Sequence, residues 1–279
     1  MTSKMPRALI TAMAALCCCG SAQAVTNWSL TGSSTFTGSY NNTLTFNGTG
    51  DGGGTMTATA WSNTKNSSSS PSAYLESAYL AKYGGGLGVR NQDSRATTGV
   101  GSGDGSEGTA PNHSLDNENR NDSILFDFGA GKSMQLQSLT VGWWSKDSDI
   151  FVLAYTGTGV PDFTSTNVAY SSLLTSGWRV VQASGSANYS NAANGAVAGS
   201  STSSTFKALT TINDLNISAR FWLIGAVNTA IDNRGVDNNL DYVKLAALGG
   251  TYTKVPEPGT LALTLGALMS GVWLRRRKG

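Results

Sequence analysis

Short runs of alternating polar and apolar residues, rich in β-branched and aromatic side chains, recur along this chain between patches of Gly, Asn and Ser. The runs are Asn27–Phe36, Asn42–Phe46, Thr55–Trp61, Ala73–Tyr83, Ser123–Phe128, Met134–Trp144, Asp149–Tyr155, Trp178–Ala183, Ala219–Val227 and Leu240–Leu248. Thr, Val, Ile, Tyr, Phe and Trp dominate them, as a pleated, half-buried surface prefers. No stretch between them keeps a helical period with caps, and Ala169–Thr175 predicts a single helical turn. Strands at this spacing predict an all-β fold, a single sandwich of jelly-roll type over residues 25–254. A parallel β-helix or adhesin-like array is the alternative, but no fixed repeat period supports it. Gly99–Asn121 and Ser184–Thr205 are too poor in apolar residues to order themselves and are expected to be loops.

The two ends break this pattern. Lys4 and Arg7 precede an apolar stretch, Ala8–Cys19, followed by Ala22-Gln23-Ala24. Small residues at Ala22 and Ala24 are what a signal peptidase reads, so residues 1–24 are predicted to be a Sec signal peptide cleaved after Ala24. The stretch is too short for an N-terminal anchor helix. All three cysteines, Cys17, Cys18 and Cys19, fall inside it. The exported body therefore has no disulfide and no thiolate chemistry.

At the other end, Gly259–Leu274 carries no charge and is followed by Arg275, Arg276, Arg277 and Lys278. As a helix it would reach about 24 Å at 1.5 Å per residue. That is a marginal span of a hydrocarbon core about 30 Å thick. The basic cluster is expected to stay cytoplasmic, placing the body outside the inner membrane. Pro256 and Pro258 fix two φ angles and hold Glu257 in an extended peptide of the kind proteases grip. Val255-Pro256-Glu257-Pro258-Gly259, the short apolar helix and the terminal basic cluster together resemble a PEP-CTERM sorting signal, covering residues 255–279. The resemblance implies export in a Gram-negative, polysaccharide-producing bacterium. It also implies processing by the membrane enzyme exosortase and release to the cell surface or beyond.

Charge and titratable groups narrow the chemistry of the body. The chain has 19 Lys+Arg against 17 Asp+Glu, and the formal excess of +2 is carried by the terminal segments. A near-neutral body without a basic stripe argues against nucleic-acid binding. His113 is the only histidine and lies in a glycine-rich predicted loop. A Ser-His-Asp unit would depend on it, and a zinc site would want several His or Cys. For glycoside hydrolysis, which needs paired carboxylates, Asp147 and Asp149 are the one close duo, on one face if the strand begins at Asp147. Lys146 and Ser148 beside them suggest no apolar enclosure. No catalytic residue is assigned, and a secreted hydrolase is the least favoured reading.

The Asp/Asn clusters point to a cation instead. "LDNENRND" (Leu115–Asp122) and "IDNRGVDNNLDYVKL" (Ile231–Leu245) each lead into a strand. Oxygen-rich loops of this kind can wrap Ca²⁺, which takes six to eight oxygen ligands. The candidate ligands are Asp116, Asn117, Asp122, Asp232, Asn233, Asp237 and Asp241, with Asp147-Ser148-Asp149 as a third group. Asp and Asn also cap turns by bonding their own backbone, the competing explanation.

"YGGGLGV" (Tyr83–Val89), "HSLDN" (His113–Asn117), "DSILFDFG", "VGWWSKDSDIFVLAY" and the late "DN…DYVKL" occur in an order that resembles a group of exosortase-dependent surface proteins. That resemblance implies a destination and transfers no functional residue. The expected function is thus structural or adhesive at the cell surface or in the matrix, with exopolysaccharide as a candidate partner. The rival is a carbohydrate-binding module, for which the adjacent Trp143 and Trp144 are the candidate stacking residues. On a strand, one of the two points outward.

Overall fold

The computed structural model describes residues 25–33, 40–50, 53–65, 74–92, 111, 113–165, 167–181, 207–209, 212–231 and 239–254. The expected signal peptide, with Ala22 and Ala24, lies outside them. So do the motif Val255–Gly259, the tail helix and the basic cluster Arg275–Lys278. Among the described residues no helix is long and apolar enough to cross a membrane.

The fold is all-β. Its strands are β1 (Val25–Ser29), β2 (Thr43–Asn47), β3 (Thr55–Lys65), β4 (Tyr74–Ser77), β5 (Tyr79–Tyr83), β6 (Gly86–Arg90) and β7 (Leu115–Asp116). They continue with β8 (Asp122–Asp127), β9 (Lys132–Lys146), β10 (Ile150–Tyr155), β11 (Trp178–Val180), β12 (Lys207–Leu209), β13 (Phe221–Ala226) and β14 (Asp241–Lys254). The predicted helical turn is a 3-10 turn, Tyr170–Thr175.

The strands form two seven-stranded sheets. Sheet A runs β12-β9-β14-β6-β5, with β1 and β7 also on β14, and sheet B runs β11-β10-β13-β8-β3-β2, with β4 also on β3. One apolar cluster draws on both sheets. Trp28, Leu87, Val89, Leu136, Val141, Val243 and Leu248 come from sheet A, and Met56, Ala58, Ile124, Phe126, Val152, Trp222 and Ile224 from sheet B. A second cluster lies on the opposite face of sheet B, where Phe163 of the preceding loop and Tyr170 and Leu173 of the 3-10 turn cover Phe151, Leu153, Trp178, Phe221 and Leu223. Strands buried on both faces read as unbroken apolar runs, which explains "IFVLAY" and "FWLIGA".

Two expected strands are corrected, one strand is added, and the expected loop 99–121 contains β7, paired with β14. Ala73–Tyr83 is not one strand: β4 pairs with β3 in sheet B, and β5 pairs with β6 in sheet A. The chain changes sheet at Ala78, which is fully buried, donates to Ala60 O at 2.9 Å and accepts from Asn41 N at 3.0 Å. The glycine-rich "GLGVR" is a strand, β6, although glycine disfavours strands. A Cβ at Gly86 would strike Leu245 O, and one at Gly88 would strike His113 O, so only glycine lets these segments approach. Finally, β14 runs past the expected end at Leu248 to Lys254. Gly249 and Gly250 sit at a register shift against β9, with no room for a side chain beside Ser138, Asn27 and Met134.

β1 closes one side of β14, with Val25 opposite Thr251 and Ser29 opposite Ala247. Its anchor is Trp28, fully buried against Phe128 at 5.1 Å and Tyr252 at 6.3 Å, with its indole N–H on Gly54 O.

Candidate metal centre

At the end of sheet A where β14 begins, three carboxylates converge. β9 ends at Lys146, whose φ of 59° turns the chain back. Asp147 then bridges to Ser145 and to Asp241, the first residue of β14. Asp147 and Asp149 therefore lie in the turn before β10, which starts at Ile150, and not on one face of a strand. Local bonds fix them. Ser148 N donates to Asp147 Oδ1 (2.7 Å), Tyr242 N to Asp147 O (3.3 Å), Val227 N to Asp149 O (3.0 Å) and Asn239 Nδ2 to Asp147 Oδ2 (3.4 Å).

Asp241 is the hub. Its Oδ1 accepts from Asp149 N at 2.6 Å and its Oδ2 from Asn117 Nδ2 at 2.7 Å, while its own N–H donates to Asn117 Oδ1 at 2.9 Å. Asn117 Nδ2 also reaches Val227 O at 3.3 Å, so one amide ties the β7–β8 loop to both β14 and the end of β13.

Asp147, Asp149 and Asp241 are 6%, 2% and 1% exposed, and each offers an oxygen within 4.8 Å of the others'. The expectation that this pair lacks enclosure is overturned. Crowded, buried carboxylates cannot all carry charge without a compensating positive species. Burial, joined by the nearby Asp149 and Asp147, pushes the Asp241 pKa up to about 8, although the bonds from Asp149 N–H and Asn117 favour its ionised form. A proton on Asp241 is one remedy, and a hard cation is the other. Oxygens sharing one Ca²⁺ at about 2.4 Å lie at most about 4.8 Å apart, a condition that the three carboxylates meet.

The other predicted ligands are distributed differently. Asn117 orients Asp241. Asp116, in β7, accepts from Glu118 N at 3.1 Å, a turn bond of the competing kind. Asp122, in β8, faces Ser62 across the strand pair. Neither belongs to the triad. Asp232, Asn233 and Asp237 lie outside the described residues. The sequence did flag Asp147-Ser148-Asp149, but nothing in spacing alone joined it to Asp241, 92 residues on from Asp149.

The tryptophan pair divides as expected. Trp144 is 7% exposed in the shared core, and Trp143 lies half-buried on the opposite face of sheet A. His113 packs its ring on Tyr83, with centroids 4.4 Å apart. No family model, curated protein or solved structure matches the chain.

Proposed function

We propose that the chain is an exported, exosortase-processed protein of the cell surface or extracellular matrix, structural or adhesive rather than catalytic. In this reading residues 25–254 form a jelly-roll-like sandwich, and Ca²⁺ holds Asp147, Asp149 and Asp241 together. The observation that carries the reading is a strand pair: β1 lies beside the final residues of β14, so the two ends of the described body meet at one end of sheet A. With Val25 opposite Thr251, the signal-peptidase site and the Pro256-Glu257-Pro258 motif attach to the same end of sheet A. The carboxylate triad lies at the other end of β14, about 43 Å away at roughly 3.3 Å per residue. Such a domain would stand on the membrane by one end during sorting and present the other.

Burial of the carboxylates supports the non-catalytic reading. A general acid or base must come within hydrogen-bonding reach of its substrate, and all three triad residues are 6% exposed or less. Intact mass of protein recovered from the surface of the native host tests the sorting. The mature form should lack Met1–Ala24 and the segment after the Pro-Glu-Pro motif, and deleting the exosortase should leave the tail on. Stoichiometric recovery of Leu261–Leu274 peptides from surface-localised protein would overturn it.

A further inference from the structure

The face of sheet A turned away from the shared core carries an enclosed cation among aromatic rings. Lys244 on β14 and Trp143 on β9 are register partners, and Lys244 Nζ lies 3.8 Å from the centroid of the Trp143 ring. The same ammonium lies 4.9 Å from the Tyr83 ring, on which His113 packs. Two residues earlier on β14, Lys146 Nζ stands 5.0 Å over Tyr242. Lys244 is only 4% exposed, yet among the described residues no oxygen accepts from its Nζ. An ammonium has three donors, and ring faces replace only part of the hydration it gives up.

Asp116 is the acid whose charge acts on it, and it does not cancel the effect of burial, which lowers the Lys244 pKa to about 8. The ammonium is therefore the main form at pH 7. Trp143, Tyr83 and His113 each keep part of their surface open. The β5–β6 turn presses on the base of Trp143, since a Cβ at Gly85 would come within 2.6 Å of Trp143 Cβ, while the position beside Gly84 is clear.

What completes such a site brings an anionic oxygen to Nζ and a flat, weakly polar face to an aromatic ring. A pyranose carrying a carboxylate has both, because its C–H face suits the negative face of a ring. We propose that Trp143, Tyr83, His113 and Lys244 form a subsite for a uronic acid residue of an acidic polysaccharide. A peptide carboxylate would satisfy Nζ but bring no such face. The inference rests on the reading of the domain as displayed outside the cell. Failed sorting would appear as an unprocessed tail and leave binding in solution unchanged, so the two failures are distinguishable.

Calorimetric titration of the detergent-solubilised full chain with trigalacturonate, maltotriose and hexaglutamate tests this. Trigalacturonate should bind and quench tryptophan fluorescence, Lys244→Met should weaken it at least tenfold, and Trp143→Ala should abolish it. A readout on the unaltered protein stands beside the variants. Trigalacturonate should slow reductive methylation of Lys244 at least threefold, read by peptide mass spectrometry, without slowing Lys132. Absence of trigalacturonate binding at millimolar concentration, equal binding of hexaglutamate, or unprotected Lys244 would each overturn the proposal.

Discussion

Replacing Asp241 by Asn separates a cation-held triad from a merely protonated one. The side chain keeps its shape, but one of its oxygens becomes an amide. Asp241 Oδ1 takes a hydrogen bond from Asp149 N and Oδ2 from Asn117 Nδ2, whose own oxygen is committed to Asp241 N. The variant must therefore oppose two donors at one of these contacts, which costs about 1–2 kcal/mol. In excess EGTA near neutral pH the variant also escapes the cost of taking up a proton at Asp241, so its melting temperature should not fall below that of wild type. In Ca²⁺ the outcome differs. At free Ca²⁺ a hundredfold above Kd, the native wild-type state gains about 2.7 kcal/mol. For a domain of this size each kcal/mol moves Tm by about 2–4 °C, so wild type should melt about 5–11 °C higher in Ca²⁺ than in EGTA. Asp241→Asn removes a carboxylate ligand and should lose most of that shift. Four thermal scans, two proteins in two buffers, make the measurement. No Ca²⁺ shift in wild type, or an equal shift in both proteins, would refute the cation.

The same residue sets a pH dependence in chelator. Its folded pKa of about 8 exceeds the unfolded value near 3.9, so the folded chain holds a proton that the unfolded chain has lost. Stability should fall as pH rises between about 4 and about 8, by up to about 1.4 kcal/mol per unit, and level off above. Denaturant titrations of wild type minus Asp241→Asn isolate this slope, and a flat difference counts against the buried triad. Trp28→Ala should destabilise by about 3–5 kcal/mol, since it empties a fully buried site between Phe128 and Tyr252. Val160→Ala, at a position 63% exposed, should change stability by less than about 0.5 kcal/mol, and equal effects would contradict the packing. Purified protein should show no turnover of polysaccharide, ester or peptide substrates, and glycosidase activity abolished by Asp149→Asn would place it among the hydrolases.

Most strands were legible where a run had β-rich composition, as in Thr55–Trp61 and Met134–Trp144, which fall inside β3 and β9. The ones missed, β6, β7 and β12, are short or glycine-rich, and there the decisive fact is a close approach by a distant segment. Gly86 and Gly88 look like loop residues until Leu245 O and His113 O are placed against them. Likewise Ala78 carries no turn signal, because the change of sheet is specified by bonds to Ala60 and Asn41. The candidate site was legible in its chemistry but not in its membership. Asp/Asn-rich stretches marked Asn117 and Asp241, whereas their meeting with Asp147 and Asp149 is set by the β9–β14 register. Enclosure was missed because Lys146 and Ser148 are near neighbours in sequence, and burial here comes from other strands.

The pairing of β14 also decides how the molecule would bear load. The strand lies against β9 from Asp241↔Lys146 to Lys254↔Lys132, and on its other side against β1 near the tail. Ladder hydrogen bonds of antiparallel strands stand perpendicular to the strand axis. A pull on Lys254 along that axis therefore loads them together, in shear, and does not unzip them one at a time. Forced unfolding is governed by the unfolding rate, and shear raises its barrier because many bonds must yield at once. A chain tethered through its tail and gripped at the triad end would carry tension down a single strand clamped on both sides.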